Sequence, residues 1–355
     1  MPGPVWVLPN RLQTDSSTGP PARVNGAVGA GHPVVMADTD LIAAMQGIAL
    51  VSEARRRGVD DRQFRRAVRR GTAVRLHRGA YLSAESWERM DRDQRYRHRV
   101  VAAALASRSR PILCHESAAV LWGMPTLGSW PDLVHVLTTL GAGTRTENGF
   151  RRHAAVLPVS DVVESDGVQL TGLGRTLLDI ARDSPFAAAV AALDWALRPP
   201  RQSDLKPWIA RDEFAAYVAR ADFVRNRVRV NRVISFASPL AESPGETLSR
   251  VQIDQLGFPR PELQVEFRDR KGLIGRADFY WPDYNLIGEY DGRIKYTRSQ
   301  YRKGRSIEEI VLAEKHREDR LRATGLRVTR WDSATAANPA ELRDQLRNAG
   351  LPTRR

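Results

Sequence analysis

The fold of the C-terminal part is decided by the stretch Arg276-Ala-Asp-Phe-Tyr-Trp-Pro-Asp-Tyr-Asn-Leu-Ile-Gly-Glu-Tyr-Asp-Gly-Arg-Ile-Lys-Tyr296. Apolar and polar residues alternate from Ala277 to Trp281, a Pro-Asp-Tyr-Asn segment interrupts them, and an extended pattern resumes at Leu286. Period-two alternation on both sides of a turn-forming segment is typical of a β-hairpin. The stretch therefore predicts two strands that carry acidic side chains among apolar ones.

Three carboxylates of this hairpin are candidates for one site. Glu289 and Asp291 are two residues apart, so their side chains share a strand face about 7 Å apart, and the neighbouring strand can bring Asp278 alongside. Clustered carboxylates need protons, cationic side chains or a metal ion to neutralise them. Oxygen ligands favour a hard cation, so the pattern predicts Mg²⁺ or Mn²⁺.

Neighbouring basic residues leave two interpretations of these acids open. Lys295, just past the turn, could supply a further positive charge to a metal-dependent site. Alternatively, the acids are solvated hairpin residues that form salt bridges with Arg276 and Arg293. The spacing alone does not decide between the two interpretations.

The composition indicates a globular protein of two or three domains. The chain has 355 residues, of which 42% are hydrophobic and 27% charged. Its single cysteine, Cys114, excludes an internal disulfide framework and is expected to be a buried small hydrophobic residue. No apolar run approaches the ~20 residues of a membrane span. We therefore expect a cytoplasmic protein without a membrane partner.

The charge balance points to a polyanionic partner. Lys plus Arg number 55 against 41 Asp plus Glu, which gives a formal net charge of +14. A surface of this sign attracts phosphate backbones. Nucleic acid is therefore the expected class of partner.

The N-terminal part has the pattern of a winged helix-turn-helix. Residues 1–37 are rich in Pro, Gly and Ser, which predicts a mobile leader. From Asp38 a helical stripe follows that consists of Leu41, Ile42, Met45 and Ile48, and a second helix is predicted from the Asp60 cap to Gly71. Residues 73–82 then alternate like a short β-ribbon. This order predicts a winged helix-turn-helix over residues 38–84.

Arginines cluster on the second predicted helix and on the ribbon. The candidate nucleic-acid-binding residues are Arg62, Arg65, Arg66, Arg69, Arg75 and Arg78. On the helix, Phe64 and Val68 form an apolar i, i+4 pair on the opposite side. The pattern favours phosphate or major-groove contacts with double-stranded DNA. The alternative is a solvated basic face on a module that docks another protein.

The stretch from Asp60 to Tyr81, followed by His115-Glu-Ser-Ala-Ala119, resembles the AbiEi-type antitoxin family of type IV toxin-antitoxin systems. The resemblance covers about residues 40 to 200 and includes a middle domain of helices and strands at residues 85–198. It implies DNA binding, transcriptional control and a toxin partner, without catalysis. His115-Glu116 begins a zincin-like pattern, but no second histidine follows at i+4, so that metal motif is not complete.

Residues 199–239 are predicted to form a helical connector. Three of its arginines share a helical face, namely Arg225, Arg229 and Arg232. They could contact a DNA backbone, or the segment could be a connector that packs through Val224, Val228 and Ile234. Both interpretations stay open at this point.

Residues 240–355 are predicted to fold in the order αβββαβα, which makes the chain α/β in class and α+β overall. Together with Glu246, Asp278, Glu289-Tyr-Asp291-Gly292 and the helix around Glu314-Lys-His-Arg317, this order resembles the PD-(D/E)XK restriction-endonuclease-like superfamily, in particular the branch related to the very-short-patch-repair endonuclease Vsr. The resemblance implies phosphodiester cleavage that depends on Mg²⁺. Asp278, Glu289, Asp291 and Glu246 would then be metal ligands. Asp278, Glu289, Asp291 and Lys295 would be the catalytic residues.

One departure from that superfamily concerns its lysine. The pattern expects Glu-x-Lys, but the residue two after Glu289 is Asp291. Lys295 and Lys315 are the two candidates for the missing positive charge. Two hypotheses result: a metal-dependent DNA endonuclease in phage defence, directed by the winged module, and a non-catalytic DNA-binding regulator or antitoxin with an inactive nuclease fold. Either could act as a homodimer.

Overall fold

The structure, a computed structural model, describes residues 47–139, 143–199, 206–221, 225–292 and 307–353. The chain divides into two compact units: Met1–Gly123 with Trp130–Thr176, and Met124–Ser129 with Leu177–Arg355. Both contain helices and strands, as predicted for the class. The predicted leader, residues 1–37, lies outside the described residues. Within the described ranges, no helix combines the length and the apolar character needed to cross a bilayer.

The first unit begins with a small antiparallel sheet and two helices. The elements are β1 (Ala49–Leu50), α1 (Val51–Arg56), α2 (Asp61–Arg69), β2 (Ala73–His77) and β3 (Ala80–Ser83), and the strand order is β1-β3-β2. Helix α2 starts where predicted, because the Asp60 carboxylate accepts the Arg62 backbone N–H at 2.9 Å. Phe64 stacks on Tyr81 of the ribbon with ring centroids 4.9 Å apart. The helix and the ribbon of the predicted winged module are therefore present.

Two details of the prediction for this module are corrected. Ala49 and Leu50, next to Ile48 on the predicted helical stripe, form a strand that pairs with Tyr81 and Ala80. Pairing with the edge of β3 satisfies the backbone hydrogen bonds of these two residues, and both of their side chains are buried. These two effects outweigh the helical periodicity of the sequence. The rest of the stripe, Leu41, Ile42 and Met45, lies outside the described residues.

The second correction concerns the apolar pair predicted on α2. Phe64 is only 3% exposed, but Val68 is 37% exposed. The inner face of the helix is completed by Ala67, which is fully buried. Val68 therefore lies at the partly exposed edge of this inner face and not in the core.

The rest of the first unit is built on a six-stranded mixed sheet in the order β6-β7-β5-β4-β9-β8. Its elements are α3 (Ala84–Arg89), α4 (Arg92–Ala106), β4 (Ile112–Leu113), α5 (His115–Trp122), β5 (Val134–Thr138), β6 (Arg145–Glu147), β7 (Phe150–Ala154), β8 (Val162–Ser165) and β9 (Val168–Thr171). Helix α4 begins with a capping box between Asp91 and Gln94. Cys114 is buried, as predicted.

Helices occupy the first half of the second unit. After α6 (Leu173–Asp183), where the division between the units falls, come α7 (Phe186–Leu197), α8 (Arg211–Arg220), α9 (Arg227–Phe236) and α10 (Pro244–Gln255). Helices α7 and α10 are joined by a buried ion pair between Asp194 and Arg250, with Nη2 and Oδ2 2.7 Å apart.

The connector helix α9 packs by a different face from the one predicted. Val228 is 85% exposed, Val224 lies outside the described residues, and the buried apolar residues of the helix are Val230, Val233 and Phe236. Arg229 donates to the Ala181 carbonyl at 3.1 Å, and the Arg232 guanidinium lies 4.6 Å from the Phe186 ring centroid. These contacts favour the connector interpretation over a DNA contact for both arginines.

The C-terminal sheet has the predicted order of elements. Strands β10 (Glu262–Asp269), β11 (Gly272–Trp281) and β12 (Leu286–Asp291) are antiparallel neighbours, and β13 (Arg327–Asp332) lies parallel to β12. Helix α11 (Ile307–Ala323) precedes β13, and α12 (Ser333–Ala337) and α13 (Pro339–Asn348) follow it. The short helix α12 is an addition to the predicted αβββαβα order.

The core of this sheet requires a glycine at its centre. Phe279, Trp281 and Trp331 form a buried aromatic cluster on one face. A Cβ atom at Gly288 would lie 2.6 Å from Trp331 Cη2 and 2.9 Å from Trp281 Cζ3. Only the absence of a side chain lets both indoles close over β12.

Candidate nucleic-acid interface and carboxylate site

The six predicted arginines form what we call the arginine surface: Arg62, Arg65, Arg66 and Arg69 on α2, and Arg75 and Arg78 on the ribbon. Helix α2 turns Phe64 and Ala67 into the core, so its other face is directed to solvent. Arg66 is half-buried, and the other five arginines are exposed. The structure therefore presents these side chains on the outer side of the helix and on the ribbon.

The positive charge of this surface is not neutralised locally. Among the described residues, no carboxylate forms a salt bridge with any of the six arginines. The adjacent acid, Asp61, is held by Arg55, whose Nε lies 2.7 Å from Asp61 Oδ1, and this hydrogen bond lowers the Asp61 pKa. The other adjacent acid, Asp60, is the N-cap of α2. The arginine surface is thus able to attract an external polyanion.

A cleft of about 800 Å³ lies beside the ribbon, within the first unit. Arg75, Arg78 and Arg108 line it, together with the turn at Asn148. His77 Nε2 lies 3.3 Å from the Asn148 carbonyl oxygen, so the ribbon is fastened to this turn. Sequence reasoning missed Arg108, because it follows α4 and reaches the ribbon only through the tertiary fold. Three guanidinium groups around one cleft are suited to phosphate contacts.

We call the second candidate the carboxylate site, which consists of Glu246, Gln264 and Asp278. Glu246 lies in the first turn of α10 and is only 6% exposed. Its oxygens accept hydrogen bonds from Ser243 Oγ and from the Glu242 backbone N–H, both at 2.8 Å. Ser243 is also the N-cap of α10. The helix N-terminus therefore fixes the Glu246 carboxylate.

Gln264 links the two acids. Its Nε2 donates to Glu246 Oε2 at 3.0 Å and to Asp278 Oδ1 at 3.2 Å. Gln264 has a φ of +57°, a left-handed backbone conformation that is uncommon for a residue other than glycine. The second Asp278 oxygen, Oδ2, accepts the Tyr290 backbone N–H at 2.9 Å.

Burial raises the pKa of Glu246, and the nearby Asp278 raises it further. Both causes act against the ionised form, because the carboxylate loses water and faces a second negative charge. Tyr290 adds to the enclosure: a Cβ atom on Gly245 would lie only 2.0 Å from Tyr290 Cζ. Burial and the carboxylates of Asp332 and Glu246 raise the Tyr290 pKa, so its hydroxyl stays protonated.

Glu289 has different partners from the two acids of the carboxylate site. Arg317 Nη2 donates to both Glu289 oxygens, at 2.6 and 2.8 Å, and Arg330 Nε donates to Oε2 at 2.8 Å. For this residue the salt-bridge interpretation therefore applies, but with arginines from α11 and β13. Arg276, the partner predicted from the sequence, pairs with Glu242. Arg293, the other predicted partner, lies outside the described residues.

The remaining predicted site residues are placed as follows. Asp291 ends β12 and lies in register with Asp332 of β13. Lys295 lies outside the described residues, and Lys315 is exposed on α11. Of the four predicted acid ligands, the structure thus brings Glu246 and Asp278 together. Their oxygens are of the type that Mg²⁺ and Mn²⁺ take as ligands.

Comparison with known proteins supports the interpretation of the N-terminal module. Residues 39–84 match the family described as "Transcriptional regulator, AbiEi antitoxin". Two uncharacterized proteins of Mycobacterium tuberculosis, from strains CDC 1551 / Oshkosh and H37Rv, are each 29% identical over 224 residues, which are 63% of this chain and 75% of the relative. The match covers the segment with α1, α2 and the three-stranded sheet, and it supports a transcriptional-regulator domain similar to that of the AbiEi antitoxins.

Proposed function

We propose that this protein is a DNA-binding transcriptional regulator of the AbiEi antitoxin type, held on double-stranded DNA by the arginine surface. The observation that carries the proposal is the set of arginines on the outer face of α2 and on the ribbon, which have no carboxylate partner among the described residues. The family match over residues 39–84 supports it. Such a regulator works in the cytoplasm, with a toxin as a further partner.

The arrangement suits the insertion of α2 into a major groove. Arg62, Arg65 and Arg69 would contact phosphates or guanine edges, which accept bidentate hydrogen bonds from guanidinium groups. Ribbon arginines Arg75 and Arg78 would hold the adjacent backbone, as in other winged modules.

The test is DNA binding as a function of salt concentration. Fluorescence anisotropy with a labelled duplex should show an affinity that falls steeply as salt rises, because each phosphate contact contributes about −0.9 to the slope of log K against log salt. Replacing Arg62 and Arg69 together by Ala should make the slope about 2 units shallower. Arg89→Ala is the matched control, since Arg89 is an exposed arginine paired with Glu85. Equal slopes for the double variant and the control would refute the proposal.

A second candidate function is phosphodiester cleavage that depends on Mg²⁺ or Mn²⁺. The convergence of Glu246 and Asp278, bridged by Gln264, favours it, together with the αβββαβ order of the C-terminal elements. Participation of Glu289 would require its release from Arg317 and Arg330. The ion would be held by the carboxylates and would supply activation of water and neutralisation of phosphate charge.

Nicking of supercoiled plasmid tests the second candidate. The full chain is incubated with Mg²⁺ or Mn²⁺, and the control is the double variant Asp278→Asn/Glu246→Gln, which keeps the shape of both side chains. Nicking by the wild type alone would establish a nuclease. Equal nicking by the two proteins would show a contaminant, and no nicking would leave the regulator as the function. Light scattering of the full chain, measured under the buffer conditions of both assays, will show whether the protein is a homodimer.

A further inference from the structure

A cluster of sulfur and nitrogen ligands lies in the first unit, separate in the sequence from the arginine surface and the carboxylate site. Cys114, His115 and His153 each offer one ligand atom, and these atoms all lie within 4.8 Å of one another. Cys114 Sγ and His115 Nδ1 are 3.2 Å apart. The His115 and His153 rings are stacked with centroids 3.8 Å apart. No other residues of the described ranges form such a group of three.

The fold assembles this cluster from two places in the chain. Cys114 is the N-cap of α5, His115 is its first residue, and His153 comes from β7. His115 has a φ of +50°, a left-handed conformation that L-residues rarely adopt and that recurs at functional sites. Cys114 is fully buried and His115 is 2% exposed. Cys114 and His115 are thus enclosed, His153 is half-buried, and the backbone at His115 is held in an unusual conformation.

A second layer surrounds the cluster. The His135 ring lies 5.0 Å from the His153 ring and 5.8 Å from the His115 ring. Its Nδ1 lies 3.0 Å from Glu116 Oε2. His135 and Glu116 thus lie beside the three candidate ligands.

We propose that Cys114, His115 and His153 bind a zinc ion, with the His135 ring beside them. One thiolate and imidazole nitrogens form a typical tetrahedral zinc set, with Zn–S of about 2.3 Å and Zn–N of about 2.0 Å. Ligand atoms in such a tetrahedron lie about 3.3–3.6 Å apart. The Cys114–His115 pair is already at 3.2 Å, and the stacked His115 and His153 rings would have to turn so that a nitrogen of each, whose lone pair lies in the ring plane, is directed at one ion.

The chemistry of these ligands selects the metal. Thiolate and imidazole suit zinc and other borderline transition metals, whereas Mg²⁺ requires oxygen ligands. The site is therefore chemically distinct from the carboxylate site. An ion here would connect the start of α5 to strand β7, which makes it a structural centre of the first unit. The sequence alone did not indicate this zinc site, because His153 lies on a distant strand and not at i+4 of His115.

The experiment uses the full chain without a polyhistidine tag, because such a tag binds zinc itself. Protein from zinc-supplemented cultures should contain about one zinc per chain by elemental analysis, and removal of the zinc by a chelator should lower the melting temperature reversibly. Cobalt(II) added to the metal-free protein should give the visible bands of a tetrahedral site and a near-ultraviolet sulfur-to-cobalt charge-transfer band. Cys114 is the chain's only cysteine, so this band reports on Cys114 alone.

Variants assign the ligands. Cys114→Ser should lose the charge-transfer band, and His153→Ala should lose the tetrahedral spectrum, whereas the control His316→Ala, which changes an exposed histidine of α11, should keep both. The proposal is overturned if wild-type protein contains no zinc and cobalt keeps its octahedral aqueous spectrum. It is also overturned if Cys114→Ser retains the charge-transfer band. The wild-type measurements decide the matter even if a variant fails to fold.

Discussion

The ion pair between Asp194 and Arg250 is expected to be among the costliest contacts to break in the second unit. Asp194 is 2% and Arg250 is 8% exposed. The Asp194 carboxylate accepts hydrogen bonds from Arg250 Nη2 at 2.7 Å, from Thr247 Oγ1 at 2.7 Å and from the Ser238 backbone N–H at 2.6 Å. Asp194→Ala removes all three at once and leaves a buried guanidinium without its counter-ion.

The expected magnitude follows from what remains around Arg250. Its Nη1 still donates to the Phe236 carbonyl at 2.5 Å, and its guanidinium still lies 4.6 Å from the Phe236 ring centroid. Neither contact neutralises the charge. Breaking a buried pair by removing one partner costs about 3–5 kcal/mol. For a unit of this size the melting temperature should fall by roughly 6–20 °C.

Urea unfolding monitored by tryptophan fluorescence measures this cost. The control is Glu266→Ala, which breaks the exposed pair with Arg268 and should cost about 0–1 kcal/mol. Replacing both partners, by Asp194→Leu with Arg250→Met, should cost less than Asp194→Ala, since no buried charge is left unpaired. If Asp194→Ala costs no more than Glu266→Ala, the buried pair does not join α7 to α10 as described.

Two further predictions concern the C-terminal sheet and its acids. Because burial and Asp278 raise the Glu246 pKa above its ordinary value of 4.5, the folded state binds this proton more tightly than the unfolded state. Wild-type stability should fall as pH rises from 4.5 through the raised pKa, and Glu246→Gln should lack this part of the pH dependence, measured by urea unfolding across the range. A parallel pH dependence in both proteins would contradict the raised pKa. Gly288→Ala should lower the free energy of unfolding by about 1–3 kcal/mol, because the new methyl group meets the Trp331 and Trp281 rings; an unchanged unfolding curve would show that the indoles move aside freely.

The sequence predicted the elements whose signals are local. The Asp60 cap, the glycine after α2 and the alternation of residues 73–82 fix the helix and the ribbon through neighbouring residues alone. The strand at Ala49–Leu50 could not be predicted in this way. Its pairing with Ala80 and Tyr81 joins residues about thirty positions apart, and helical periodicity says nothing about a free strand edge.

The candidate sites show the same limit. The helical part of the arginine surface was predictable because the spacing of Arg62, Arg65, Arg66 and Arg69 places them on one helix face. The partners of Glu289 were not, since Arg317 and Arg330 belong to a helix and a strand that follow it in the sequence. Gln264 was missed as well, although it is a polar residue within an alternating strand. Its role depends on a left-handed backbone conformation that no local pattern announces.

Binding of the full chain to duplex DNA across a range of salt concentrations tests the central claim most directly. The account predicts a steep fall of affinity with salt, a slope about 2 units shallower for Arg62→Ala/Arg69→Ala, and an unchanged slope for Arg89→Ala. Absence of any DNA binding at low salt, or the same slope in all three proteins, would contradict the assignment of the arginine surface as the DNA-binding face.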